Sequence, residues 1–130
     1  MAPATNGRGA ALLLDEPHHD GSPLYLPSPP TRVGEEFDVY LRVPEHAQVS
    51  RVVARQVHDG EGFPVAATVE RVEAGAAWWR ARLTQANPVM SYRFLTDAGP
   101  SSYRWITAAG PVDHDPTDAG DFRSSIHPGG

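Results

Sequence analysis

Between Glu36 and Thr107 the character of the chain alternates at nearly every residue. Phe37, Val39, Leu41 and Val43 are apolar, and Asp38, Tyr40 and Arg42 stand between them. Successive side chains of a strand point to opposite faces, so this spacing gives a half-buried strand with one apolar face. Pro44 ends the run, because proline has no N–H to give to a ladder. Further extended runs cover 49–57, 65–72, 77–84, 89–96 and 101–107. Turn-forming clusters separate them: His58-Asp59-Gly60-Glu61-Gly62, Glu73-Ala74-Gly75, Asn87-Pro88, Asp97-Ala98-Gly99-Pro100 and Gly110-Pro111. Six strands spaced by roughly 8–15 residues, with no sustained helical period, predict an all-β antiparallel sandwich.

At 130 residues the chain has the size of one domain. Residues 1–10 read as a disordered tail, 11–110 as the sandwich and 111–130, where the alternation is lost, as a linker. The stretch 15–30 is rich in proline, histidine and aspartate. It reads as an irregular crossing anchored by Leu24, Tyr25 and Leu26. The chain contains no cysteine, which excludes disulfides and thiolate zinc sites and fits a cytoplasmic location. A net charge of -5 argues against a nucleic-acid partner, which calls for a basic face. No apolar run approaches the ~20 residues that cross a bilayer, so no membrane partner is expected.

Six of the eleven aromatic residues fall between Trp78 and Trp105, interleaved with arginines. Adjacent tryptophans in one strand cannot share a face. With Trp79, Ala81 and Leu83 inward, Trp78, Arg80 and Arg82 face out. Tyr92, Phe94 and one of the Tyr103/Trp105 set are needed for the core. An outward indole beside guanidinium groups suits the apolar C–H face of a sugar ring, and it equally suits another protein, since tryptophan is enriched at interfaces.

Two clusters carry metal-ligand residue types, His18-His19-Asp20 and Asp113-His114-Asp115. Adjacent residues on an irregular loop seldom converge on one ion, so no metal site is expected. A histidine there can instead bond a carbonyl and fix the crossing. No nucleophile elbow, phosphate-binding glycine loop or cofactor fingerprint is present, so neither cofactor nor catalysis is expected of this chain.

The order of several motifs resembles a known family. His18-His19-Asp20-Gly21-Ser22-Pro23-Leu24-Tyr25 comes first, then Gly34-Glu35-Glu36 and Val39-Tyr40-Leu41-Arg42-Val43. Trp78-Trp79-Arg80-Ala81, Asn87-Pro88-Val89 and Tyr92-Arg93-Phe94-Leu95 follow. Tyr103-Arg104-Trp105-Ile106-Thr107-Ala108-Ala109-Gly110 and Asp118-Ala119-Gly120-Asp121-Phe122 close the series. Over roughly 11–123 the chain is similar to the N-terminal domain of α-amylase superfamily glycoside hydrolases of family 13. The maltodextrin glucosidase, neopullulanase and cyclomaltodextrinase group is the most similar, and its domain is classed as carbohydrate-binding module family 34. The resemblance implies an immunoglobulin-like β-sandwich, a non-catalytic accessory domain that precedes a (β/α)8 catalytic barrel, with residues 111–130 leading to it. It implies the barrel of the same polypeptide as partner, a homodimer of the full-length enzyme, and α-glucan or maltooligosaccharide as ligand. An autonomous starch-binding module stays open beside the accessory role. The contact residues it points to are Trp78, Tyr103, Arg104 and Trp105.

Overall fold

The computed structural model describes residues 16–59, 61–99, 103–108, 110–112 and 120–126. Among them are nine strands: β1 (Glu36–Pro44), β2 (Arg51–His58), β3 (Glu61–Ala66), β4 (Thr68–Glu73), β5 (Ala76–Thr84), β6 (Val89–Asp97), β7 (Tyr103–Thr107), β8 (Gly110–Val112) and β9 (Phe122–Ser125). One 3-10 turn, Glu45–Ala47, follows β1. The smaller sheet has the order β1-β5-β4. The larger runs β3-β2-β6-β7-β8, and β9 pairs β6 beyond the end of β7. All the pairings are antiparallel, as the alternation predicts.

The core follows directly from the period of two. Phe37, Val39, Leu41 and Val43 are buried, with Leu83, Ala81, Trp79 and Ala77 opposite them on β5. Val52 and Ala54 of β2, Met90, Tyr92 and Phe94 of β6 and Ile106 of β7 meet them from the larger sheet. Each large apolar side chain buried there contributes about 1.5–3 kcal/mol of transfer free energy. The β4–β5 hairpin turns on Ala74 and Gly75, both with positive φ (53° and 79°), as two-residue hairpin loops of the primed type require.

Two boundaries differ from the sequence reading. The run 65–72 is not one strand. It breaks at Ala67, whose N–H donates to the Val52 carbonyl at 2.9 Å, and the chain crosses there from the larger sheet to the smaller. Ala67 is itself buried at this corner, so the crossing leaves no gap in the apolar pattern. Residues 111–130 are also not simply a linker, because β8 and β9 belong to the larger sheet. Three and four residues are too short to display an alternation. What fixes β9 is a side chain far away in sequence. The fully buried Gln85 donates from Nε2 to the carbonyls of Asn87 (2.8 Å) and Ser124 (2.9 Å), and its Oε1 accepts from the Ser124 hydroxyl at 2.6 Å. The expected tail at 1–10 lies outside the described residues.

The crossing 16–30 is ordered by its histidines. His18 exchanges two backbone hydrogen bonds with Arg42, at 2.9 and 3.0 Å, and so covers the outer edge of β1. His19 turns into the end of the sandwich. Its Nδ1 lies 2.7 Å from the Tyr40 carbonyl and its Nε2 2.7 Å from the Tyr92 hydroxyl. A carbonyl can only accept, so Nδ1 carries the hydrogen and Nε2 accepts from Tyr92. The ring also packs edge-on against Phe122.

Candidate interaction surface

Each sheet has one face on the core and one turned away from it, and the two outer faces differ. On the smaller sheet Trp78 points outward, opposite Arg42, as the alternation requires. It is nevertheless only 7% exposed. Tyr25 stacks on it with ring centroids 5.3 Å apart, and the Arg71 guanidinium lies 4.5 Å from its ring. The expectation that Trp78 is free to meet a partner is therefore corrected: a ring from the irregular crossing already covers it. The rest of this face is polar. Asp38 pairs Arg82 at 3.0 Å, and Glu70 accepts from the Tyr40 hydroxyl at 2.9 Å.

The larger sheet carries an apolar row across the middle of its outer face. Strand register aligns Ala66, Val53, Leu95, Trp105 and Val112 in one row that spans five strands. Their neighbours Val52, Ala54, Phe94, Thr96 and Ile106 are buried on the core side, so the row faces out. Its members are half-buried or exposed. The adjacent row is Arg51, Asp97 and Tyr103, with Arg51 and Asp97 paired at 3.4 Å and Tyr103 50% exposed. Tyr103 and Trp105 thus share one face, two residues apart on β7. Trp78 lies on the other sheet, so it forms no joint platform with them.

Trp105 is held by an arginine on its own face of the sheet. The Arg93 guanidinium lies 4.6 Å from its ring centroid, and Arg93 is paired with Asp121 at 3.0 Å. Both partners of this ion pair are buried, with side chains 3% and 0% exposed. Asp121 reaches Arg93 because Phe122, the next residue, turns to the core side and packs against Tyr92 and His19. A guanidinium fixed by a carboxylate attracts the negative face of an indole and sets its orientation. Arg93 and Asp121 are absent from the sequence-based choice of contact residues. Both stand in motifs of the sequence, but nothing in the sequence joins Asp121 to an arginine 28 residues earlier. Arg104 projects on the core side of β7, opposite Thr96, and its guanidinium ends at the rim with Glu16 at 2.7 Å.

Among the described residues the metal-ligand residue types do not converge. His18 Nε2 and Asp20 Oδ2 pair with each other at 2.9 Å, while His19 is committed to the interior. Among the described residues no three His, Cys, Asp or Glu side chains come together. Asp113, His114 and Asp115 lie outside the described residues. Burial holds the His19 imidazole down to about pKa 4, against smaller upward effects of the Tyr40 carbonyl and Asp20. Burial likewise pushes the Tyr92 hydroxyl far up. Both groups stay neutral across the physiological range and act as fixed hydrogen-bonding parts of the fold.

No family profile matches the chain, and no curated protein sequence matches it. Solved structures do: 25 chains match it. One is a cyclomaltodextrinase, with a TM-score of 0.73 at 18% identity over 89% of this chain. The match spans 20% of the cyclomaltodextrinase chain, so this chain shares the fold of about one fifth of that protein.

Proposed function

We propose that this chain is a non-catalytic accessory domain of an α-glucan-acting glycoside hydrolase, and that the outer face of its larger sheet packs on the catalytic domain. The observation that carries this reading is the in-register row Ala66–Val53–Leu95–Trp105–Val112, with its tryptophan fixed by Arg93 and Asp121. An apolar centre with an anchored tryptophan, bordered by Arg51, Asp97 and Tyr103, has the anatomy of a protein interface. Similarity of fold to part of a cyclomaltodextrinase supports a hydrolase as the parent. Dimerisation of the parent through this domain and a cytoplasmic location belong to the same proposal.

A second reading rests on one feature of the same face. Tyr103 and Trp105 stand side by side on β7, near the carboxylate and guanidinium of Asp97 and Arg51. Aromatic rings flanked by such groups can stack on sugar rings and bond their hydroxyls, so weak maltooligosaccharide binding is compatible with docking.

Hydrogen exchange tests the first reading. The 130-residue chain is compared with the same chain joined, in its natural reading frame, to a hydrolase domain. Amides of β2, β6 and β7 should become more protected in the longer polypeptide, and equal exchange in the two sinks the docking reading. Titration with maltoheptaose under tryptophan fluorescence tests the second. A change that disappears in Trp105→Phe supports it. No change up to about millimolar sugar, equivalent to weaker than about 4 kcal/mol, refutes it.

A further inference from the structure

The two sheets do not cover one another completely. On the core-side face of the smaller sheet, Phe37, Val39, Leu41 and Val43 of β1 are buried, but Val69 and Val72 of β4 are 45% and 59% exposed. Both valines belong to that face, because β5 sets Trp79 opposite Val69 and Ala77 opposite Val72. They are three residues apart and share a face because a bulge between Val69 and Arg71 shifts the register. The two valines line an apolar groove of about 290 Å³, together with Val43, Pro44, Val49 and Trp79. Contiguous apolar surface of this kind marks a place where something binds.

The chain itself carries a segment that fits. Residues 1–15 precede the described part, and Ala10-Ala11-Leu12-Leu13-Leu14 among them are consecutive apolar residues. The other stretches outside the described residues are polar or turn-forming by composition, such as Pro100-Ser101-Ser102, 113–119 and His127-Pro128-Gly129-Gly130. The start of the described chain also points the right way. His18 pairs antiparallel with Arg42, so the chain read back from His18 runs beside β1 towards Val43 and Pro44, two of the residues that line the groove. From β1 to β4 is two strand spacings, about 10 Å. Five extended residues span up to about 17 Å, so the leucines reach β4 from that end of β1.

We propose that Ala10–Leu14 docks in this groove and sets its leucines against Val69, Val72 and Trp79. The contact closes the flank that the larger sheet leaves open. It lies on the core side of the smaller sheet, away from the Trp105 row on the outer face of the larger one, and does not depend on what that row meets. With the groove filled, the Trp105 row is the apolar surface left for a partner.

NMR of the 130-residue chain with labelled leucine and valine methyl groups tests this. Nuclear Overhauser contacts are expected from the methyls of Leu12, Leu13 or Leu14 to those of Val69 or Val72, or to the Trp79 ring. The double variant Leu12→Asp/Leu13→Asp should lose them. Its Val69 and Val72 methyl signals should move to their positions in a chain lacking residues 1–14. Circular dichroism confirms that both variants are folded, and the contacts in the wild-type chain decide alone if either is not. Three results overturn the proposal: leucine contacts to Leu95 or Trp105 instead, no contact from Leu12–Leu14 beyond their sequence neighbours, or Val69 and Val72 signals unchanged when residues 1–14 are removed.

Discussion

Acid should destabilise this domain through one residue, His19, in a defined pH window. The unfolded chain protonates an ordinary imidazole near its usual pKa of 6.5, whereas the folded domain holds His19 down to about 4. Between those values the unfolded state carries one more proton than the folded state. Stability then rises with pH and is lost as pH falls. The contribution is fully present above pH 6.5, declines from there to pH 4, and is flat below. A gap of about 2.5 units at 1.36 kcal/mol per unit gives about 3 kcal/mol. The cause is burial: the ring lies in a site 4% exposed and lined by Phe94 and Phe122, where a charged imidazolium loses its hydration. Asp20 acts in a separate window. Hydrogen bonds from Ser22 and His18 outweigh burial and lower its carboxyl to about 2, so its contribution is lost below pH 3.8.

Urea unfolding at half-unit steps from pH 4 to pH 7.5, followed by tryptophan fluorescence, measures the loss. His19→Gln supplies the control, since it removes the titrating group and keeps an amide that can bond the Tyr40 carbonyl. The variant should be less stable at pH 7, and its stability should be nearly flat where the wild type slopes. Parallel wild-type and variant curves would falsify the assignment, as would an NMR titration that places the His19 ring near pH 6.5.

Substitutions at two further positions probe the outer faces. Asp121→Ala leaves the Arg93 guanidinium buried without its carboxylate and should cost about 3–5 kcal/mol in urea unfolding. Asp121→Asn should cost less, and a loss under about 1 kcal/mol for the alanine variant contradicts a buried charged pair. Tyr25→Ala removes the ring stacked on Trp78 and should cost about 3–5 kcal/mol by the scale of aromatic truncations. It should also shift tryptophan emission to the red, and an unshifted spectrum shows that Trp78 is covered by something other than Tyr25.

The parts of this fold that are legible in the sequence are those in which one strand carries its own pattern. β1, β2, β5, β6 and β7 are long enough to show alternation, and Phe37, Val39, Leu41, Leu83, Tyr92 and Phe94 take the core places it assigns. The β3–β4 corner is hidden because Ala66 and Ala67 continue an apolar stretch through the change of sheet. β9 is hidden because Gln85, a polar residue 39 positions earlier than Ser124, supplies its anchor. Trp78 shows the limit most clearly. Alternation gives its direction correctly, outward from the sheet. It gives no information about Tyr25, 53 residues earlier, which closes over it.

Both outer faces use the same device, and they differ in what covers the ring. Each has an arginine over an indole, Arg71 on Trp78 at 4.5 Å and Arg93 on Trp105 at 4.6 Å. Each arginine is fixed by carboxylates, Glu70 and Glu73 in the first case and Asp121 in the second. Such a contact contributes about 0.5–2 kcal/mol depending on desolvation, so it orients a ring more than it stabilises a fold. Around Trp78 the orientation serves the chain itself, because Tyr25 stacks on the indole. Around Trp105 no ring contact beyond Arg93 is present among the described residues, and the apolar row continues to either side. An arginine–carboxylate pair as deeply buried as Arg93–Asp121 is also a poor source of stability, since apolar residues of the same volume often serve as well. What the pair does supply is geometry: it fixes the guanidinium that lies 4.6 Å from the Trp105 ring, on the same face of the sheet.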